Sequence, residues 1–408
     1  MYYLKRDLEN KFLEMNGFFK AILVTGARQV GKTTMLKKLS ENQDRTYVTL
    51  DDLMVRDLAQ NDPALFFQTY KPPIIIDEVQ YAPALFHQIK IICDNTEERG
   101  LFWLTGSQQY NLMEQVLESL AGRIGILSLY SLSKSEKGQL PYYPNINFTL
   151  HSFLEREKIV PKTDIHDVFE YIWRGGMPDV QTASENMRTE YYNSYVDTYL
   201  MRDVTQLGGV TDSLRFRKFL VACASLVSEQ INYKTLADTA EISQPTAKNW
   251  IKLLEGLGIL YLLPPYANNH LKRLTKTSKL YFCDTGLCAY LSMWPSKDTL
   301  MNGAASGHFF ENFIIIELLK RISYGNVKVN MYYYRDSNGK EIDLLLESSD
   351  KIHPLEIKKS ANPNKREIKK FDVINKTNME KANGGIVCMC EKLIPIDEHN
   401  YFIPCSLL

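Results

Sequence analysis

Short, continuously apolar runs recur through the first third of the chain, each followed by a polar loop. "KAILVT" (Lys20–Thr25), "III" (Ile74–Ile76) and "LFWLT" (ending at Thr105) have the length and the β-branched or aromatic content of strands. Unbroken rather than alternating hydrophobicity marks strands covered on both faces. Between them the spacing turns helical, as in "TTMLKKLSE" after Lys32, and "MEQVLESLAGRIGILSLYSLS" predicts a helix, a Gly122-Arg123 corner and a last core strand. Strand alternating with helix predicts a parallel α/β sheet with its ligand at the strand C-termini.

From His151 to about Leu207 the pattern is helical, broken at Gly175-Gly176-Met177-Pro178. A long last helix sets Tyr191, Tyr195 and Tyr199 on one face as a packing stripe and carries Arg202-Asp203, with Arg202 a candidate to reach a nucleotide. Next, "YKTLADTAE" and "QPTAKNWIKLLEGLGIL" read as two helices, the second capped by Ser243 with Pro245 in its first turn. Two strands flanking a basic tip follow, which is the order of a winged helix-turn-helix.

"WPSKDTLMNGAASGH" is the most linker-like stretch. After it come a helix with Glu311 near its start, a hairpin turning at Asn338-Gly339 between Met331–Arg335 and Glu341–Glu347, a further turn at Ser349-Asp350 into Ile352–Lys359, and a lysine-rich helix. Pro354 warns of an edge or a bulge in that last strand.

The chemistry sits in the loops. Gly26-Ala27-Arg28-Gln29-Val30-Gly31-Lys32-Thr33, with Thr34 behind it, fits G-x-x-x-x-G-K-[ST] without mismatch. Two glycines let backbone N–H groups curl round phosphate oxygens at a helix N-terminus, Lys32 reaches the terminal phosphates, and the Thr33 hydroxyl can ligate Mg²⁺. A plain βα turn does not explain the Lys-Thr pair. Asp77-Glu78 closes the Ile74–Ile76 strand, where Asp77 would hold the Mg²⁺ shell and Glu78 would orient or deprotonate water. Thr105 and Ser107 are placed to sense the γ-phosphate, and Arg123 either senses nucleotide, acts on a neighbouring copy or caps its helix.

A tight turn at Ser349-Asp350 puts Asp343 opposite Glu356, and Glu341 opposite Lys358. Glu356 and Lys358 share a strand face. An uncompensated carboxylate pair would repel, so Asp343 and Glu356 suit a divalent ion, with Lys358 to activate water at a phosphodiester. The bland alternative is a hairpin with one charged face.

Composition adds limits. Hydrophobic residues are 45% and charged residues 24% of 408, and 48 basic side chains balance 48 acidic ones. That excludes a globally basic nucleic-acid binder, though basic residues outnumber acidic ones from Ser213 to Leu280, with Lys248 and Lys252 one turn apart and Lys272, Arg273 and Lys276 in the expected wing. Scattered cysteines, a charged N-terminus without a signal-peptide core and no apolar run of membrane length lead us to expect a cytoplasmic protein away from membranes.

Nearly the whole chain resembles the prokaryotic ATPases with an AAA-type core, a winged helix and a C-terminal restriction-endonuclease-like domain of unknown function. "GARQVGKTT", "IIIDEVQ", "LTGSQQ", "RGGMPDV", "YFCDTGL", "GHFFENFIIIEL" and "YYYRDSNGKEIDLLLE…PLEIKKS" carry the resemblance. It implies an α/β multidomain protein: a P-loop ATPase core over 1–150, a helical connector over 151–212, a winged helix over 213–290 and a nuclease-like domain over 300–408. It implies ATP hydrolysis by Lys32, Thr33, Asp77 and Glu78 and a nuclease motif in Asp343, Glu356 and Lys358. Together with the residues read above, this leads us to expect ATP and Mg²⁺ as cofactors and DNA as partner through the winged helix, the alternative being a winged helix that only docks beside the ATPase core, with homo-oligomerisation left open. The first acidic position of that motif falls on a helix, at Glu311, which leaves its role open.

Overall fold

The computed structural model describes residues 3–106, 116, 118–141, 148–208, 210, 212–267, 277–377 and 379–408. Ser107 and the wing residues Lys272, Arg273 and Lys276 lie outside the described residues. The chain divides into two compact units, Met1–Leu132 with Gly256–Ile259, and Ser133–Glu255 with Leu260–Leu408.

In the first unit five parallel strands, β1 (Ala21–Thr25), β2 (Thr46–Thr49), β3 (Ile74–Asp77), β4 (Phe102–Thr105) and β5 (Ile124–Ser128), lie in the order β2-β3-β4-β1-β5. The apolar runs behave as their composition requires, with β1, β3 and β4 buried throughout. This order brings the C-terminal ends of β1, β4 and β3 side by side. Helix Lys32–Ser40 starts at the end of the loop after β1.

The second unit opens with helices. The expected long tyrosine-bearing helix is interrupted by a π-helical turn, Tyr195–Leu200, between Glu185–Ser194 and Met201–Gly208. The tyrosines pack as a stripe, with ring centroids 6.2 Å apart for Tyr191–Tyr195 and 6.1 Å for Tyr195–Tyr199. Helices Ser213–Ser225, Tyr233–Ala240 and Gln244–Gly256 follow, and Ser243 Oγ accepts the N–H of Thr246 at 3.2 Å, as a capping residue should. Strands β6 (Leu260–Leu263) and β7 (Lys279–Phe282) then pair antiparallel.

The linker-like stretch folds. Ser296 and Thr299 form a capping box at the start of helix Lys297–Asn302, because serine and threonine favour helix starts as readily as loops. Helix Ser306–Tyr324 is held to β7 by Asn312, whose side chain accepts the N–H of Phe282 at 2.7 Å and donates to its carbonyl at 3.1 Å.

Strands β8 (Asn330–Arg335), β9 (Glu341–Ser348), β10 (Lys351–Lys358), β11 (Glu380–Lys381), β12 (Gly384–Cys388), β13 (Ile394–Pro395) and β14 (Asn400–Pro404) form a mixed sheet in the order β13-β14-β12-β10-β9-β8, with β11 also on β10. Both turns fall where the sequence puts them. Asp336 Oδ1 accepts the N–H groups of Asn338 and Lys340, and Ser349 takes a positive φ of 54°. Pro354 lies in an interior strand, not at an edge. It falls where β10 changes neighbour, from β11 at Lys351–Ile352 to β12 at Leu355–Lys358, so its missing N–H breaks no continuous ladder.

Candidate functional site

The loop after β1 takes the backbone path that its glycines permit. Gly26 has φ 141° and Gly31 has φ 96°, and a Cβ on Gly26 would come 2.1 Å from the Leu129 carbonyl oxygen. Arg6, buried, pins the surroundings by donating to the carbonyls of Val30 and Tyr130 at 2.7 Å each. Lys32 turns back on its own loop and donates to Gly26 O at 3.0 Å and Ala27 O at 2.8 Å. Gln29, with φ 61°, holds a buried Oε1 that has no hydrogen-bond partner among the described residues.

Asp77, at the end of β3, gathers three hydroxyls. Thr33 donates to Oδ1 at 2.6 Å, Thr105 donates to the same oxygen, and Tyr47 donates to Oδ2 at 3.1 Å. Burial pushes the Tyr47 phenol up, and the Asp77 carboxylate pushes it further. Thr105 also accepts the Glu78 N–H at 3.0 Å, so its hydroxyl links the ends of β4 and β3. Glu78 sits in the left-handed region, φ 57°, and its Oε2 accepts from Gln80. The loop and Thr33–Asp77 thus form one mouth at the strand ends. These residues fit a magnesium nucleotide: the lysine donates to the loop carbonyls of Gly26 and Ala27 at the mouth, and the hydroxyl–carboxylate pair has the donor chemistry of a Mg²⁺ site.

Arg123 is engaged elsewhere. Its guanidinium grips Asp94 through Nε at 2.5 Å and Nη2 at 3.0 Å and reaches the Ala121 carbonyl at 3.0 Å, as a helix-end residue would. Arg202 lies in the second unit, in helix Met201–Gly208.

In the second unit, strands β9 and β10 pair from Lys351↔Ser348 to Leu355↔Leu344, the register that the Ser349-Asp350 turn requires. One step on, the ladder forks. Asp343 Oδ2 accepts the N–H of Ile357 at 2.8 Å, so a side chain replaces a backbone carbonyl. Lys358 Nζ then bridges Asp343 Oδ2 at 3.2 Å and Glu356 Oε2 at 3.0 Å. The predicted trio does converge. Glu341 does not face Lys358: past the fork it pairs with Lys279 at 2.6 Å and Arg335 at 3.3 Å. Glu311 joins the group through Lys279 at 3.1 Å and the Tyr281 hydroxyl at 2.7 Å.

Electrostatics sort these carboxyls. Burial first and Asp343 second push Glu356 and Glu311 up. Asp343 is pushed up by burial as well, but Lys358, Lys279 and the Ile357 N–H outweigh this and hold it below its ordinary range. Glu356 is fully buried. Its Oε2 takes two ammonium groups, the second from Lys370 at 2.7 Å, while Oε1 has no hydrogen-bond partner among the described residues. That orphaned oxygen fits a cation. Among the described residues, however, no three or more His, Cys, Asp or Glu side chains already stand close enough to hold a metal.

Tyr47, Arg6, Lys279, Tyr281 and Lys370 are contributors that sequence reasoning missed. The lysine-rich segment was visible, but nothing in the sequence says which of its lysines turns inward.

Residues 18–137 match the model of a family described as "AAA domain". Residues 165–298 and 306–408 match two domains of unknown function, DUF8612 and DUF4143. An uncharacterized protein of Mycobacterium tuberculosis is 26% identical over 345 residues, covering 84% of this chain and 71% of the relative. One of Methanocaldococcus jannaschii is 24% identical over 354 residues, covering 78% and 71%. Among solved structures, a Walker-type ATPase of Pyrococcus abyssi is similar over 71% of this chain and 96% of its own, with TM-score 0.44 and 14% identity. The Holliday junction branch migration motor of Thermotoga maritima covers 64% and 90%, with TM-score 0.31 and 16% identity. The AAA match, falling on the parallel sheet and its loop, supports an AAA-type ATPase core that binds ATP. Among the described residues no helix is long and apolar enough to cross a membrane.

Proposed function

We propose that the chain is an ATP-hydrolysing, DNA-associated protein whose C-terminal carboxylates serve a Mg²⁺-dependent phosphodiesterase site. In this reading the ATPase core spans 1–150, a connector 151–212, a winged helix 213–290 and a nuclease-like domain 300–408. The ATPase half is carried by the 2.6 Å contact between Thr33 and Asp77 at the mouth of the lysine-bearing loop. Gly26 to Thr34 bind the phosphates, and the Lys32 ammonium exchanges its loop carbonyls for phosphate oxygens. Thr33 and Asp77 would hold Mg²⁺, and Glu78 accepts a proton from the attacking water at its carboxylate. Bound Mg²⁺ supplies charge neutralisation at the transferring phosphoryl group. Phosphate release measured with and without Mg²⁺ tests this half, and no ATP-dependent release under either condition would end it.

For the C-terminal half, the unpartnered Glu356 Oε1 beside Asp343 is the supporting observation. Asp343 and Glu356 would hold the ion, and Lys358 orients water toward a phosphodiester. A second reading, an ATP-gated regulator that binds DNA or protein without cutting, is favoured by the lysines that already neutralise these carboxylates. Mg²⁺-dependent cleavage of linear, nicked and branched DNA, with and without ATP and with Asp343→Asn as control, separates the two. DNA affinity should fall steeply with salt, and exposed Lys248 and Lys252 are the residues to reverse in charge.

A further inference from the structure

Glu356 presents an asymmetry. Both ammonium groups that neutralise it, Lys358 at 3.0 Å and Lys370 at 2.7 Å, sit on Oε2, and buried Oε1 is left with no partner among the described residues. A divalent ion at Oε1 would satisfy that oxygen, but it would also bring two positive charges against two fixed ones. One ammonium has to leave.

The two lysines are not equally free to do so. Lys358 belongs to β10, where its backbone pairs with Cys388 of β12, and its ammonium ties Asp343 to Glu356. Lys370 belongs to Lys365–Lys376, twelve residues of 3₁₀ helix, a geometry that seldom runs beyond a few residues because its hydrogen bonds are poorer. Phe371 and Ile374 anchor the apolar side of that segment in the core of the C-terminal sheet. On its other side Lys365, Arg366 and Lys369 are exposed. Lys370 already has a second partner to fall back on, Glu367 of its own segment at 3.1 Å. On the far side, Lys279 is buried between Glu311 and Glu341 and has no such exit.

We infer that Lys370 is a tethered counter-cation: it holds Glu356 in the ion-free chain, and it releases Glu356 to a divalent ion when a phosphodiester arrives to take the lysine. The inference rests on the phosphodiesterase reading of this site and adds its regulation. The carboxylates grip the ion weakly alone and tightly in the presence of polyanionic substrate, because the substrate supplies the charge that lets Lys370 turn outward.

Mn²⁺ binding to the full chain without nucleotide, followed by electron paramagnetic resonance, tests it. Lys370→Met should bind Mn²⁺ at least about tenfold more tightly than wild type, since a neighbouring positive charge in a partly desolvated site is removed. Lys370→Arg, which keeps the charge, should stay near wild type. Adding a short DNA duplex should tighten Mn²⁺ binding in wild type and much less in Lys370→Met. Glu356→Gln should abolish the site in both backgrounds. If Lys370→Met binds Mn²⁺ no more tightly than wild type while Glu356→Gln loses it, the counter-cation role is wrong and the metal reading survives. If Glu356→Gln changes nothing, or no background binds Mn²⁺, the metal reading falls and takes this inference with it.

Discussion

Tyr47 donates its phenolic hydroxyl to Oδ2 of Asp77 at 3.1 Å, while Thr33 holds the other oxygen of the same carboxylate. The phenol comes from β2, the strand next to β3, and Lys37 lies over its ring at 3.7 Å from the centroid. Tyr47 therefore helps to fix the rotation of Asp77 from the neighbouring strand. We predict that Tyr47→Phe leaves ATP affinity in EDTA unchanged, raises the Mg²⁺ concentration needed for half-maximal hydrolysis, and lowers kcat by about tenfold, the worth of one hydrogen bond to a charged group. An unchanged Mg²⁺ dependence would remove Tyr47 from the site.

Lys32→Ala should abolish measurable ATP binding in calorimetry, because the loop loses its only lysine. Glu78→Gln should keep ATP bound and slow phosphate release by about 10²–10⁴-fold, since it removes a base and no phosphate contact. Equal loss of binding in both variants would contradict the division of roles.

Asp343→Asn is expected to cost about 1–3 kcal/mol of stability in denaturant titration as well as Mn²⁺ binding. The sequence alone suggests the opposite for a metal-free hairpin, where removing one of two facing carboxylates relieves repulsion. In the folded chain Asp343 accepts from Ile357 and Lys358, and neutralising it weakens both bonds and leaves Lys358 with Glu356 as its remaining carboxylate. A variant as stable as wild type would mean that these bonds contribute nothing net.

His353 gives the fold a pH dependence. Its Nδ1–H donates to the Asn383 carbonyl at 2.7 Å, its ring lies 5.1 Å from that of Phe148, and burial holds its pKa below the ordinary 6.5. The unfolded chain takes up this proton more readily, so the contribution is fully present above about pH 6.5 and is lost as pH falls through the lower folded value. Thermal unfolding followed from about pH 7 to about pH 5 should show a falling Tm, with a shallower slope in His353→Asn, which keeps a donor but does not titrate. Parallel profiles for the two proteins would rule His353 out.

Most of the framework was legible because it is local. A glycine-bracketed loop between an apolar strand and a helix, Ser243 ahead of Pro245, and Asn338-Gly339 each announce their conformation within a few residues. The tight turn at Ser349-Asp350 likewise fixed the β9–β10 register. What the sequence hid is relational. Nothing in "TYVT" says that β2 lies beside β3, so the Tyr47–Asp77 bond was invisible. Alternation along β9 and β10 put Glu341 with Lys358, and it failed because the Asp343 side chain took the hydrogen bond that would have continued the ladder. Pro354 looked like an edge signal, but an interior strand that changes neighbours accommodates it.

The fork beside Asp343 also bears on how fast the proposed C-terminal ion site would fill. Two strands that would otherwise zip shut are already held apart there, by a carboxylate that substitutes for a main-chain acceptor. The separation is therefore made when the domain folds, and an arriving ion finds the backbone in its final position. Filling the site then requires only that an ion shed water and a lysine swing, so Mn²⁺ and Mg²⁺ should differ in their association rates as their hydration shells do, independently of any motion of the sheet.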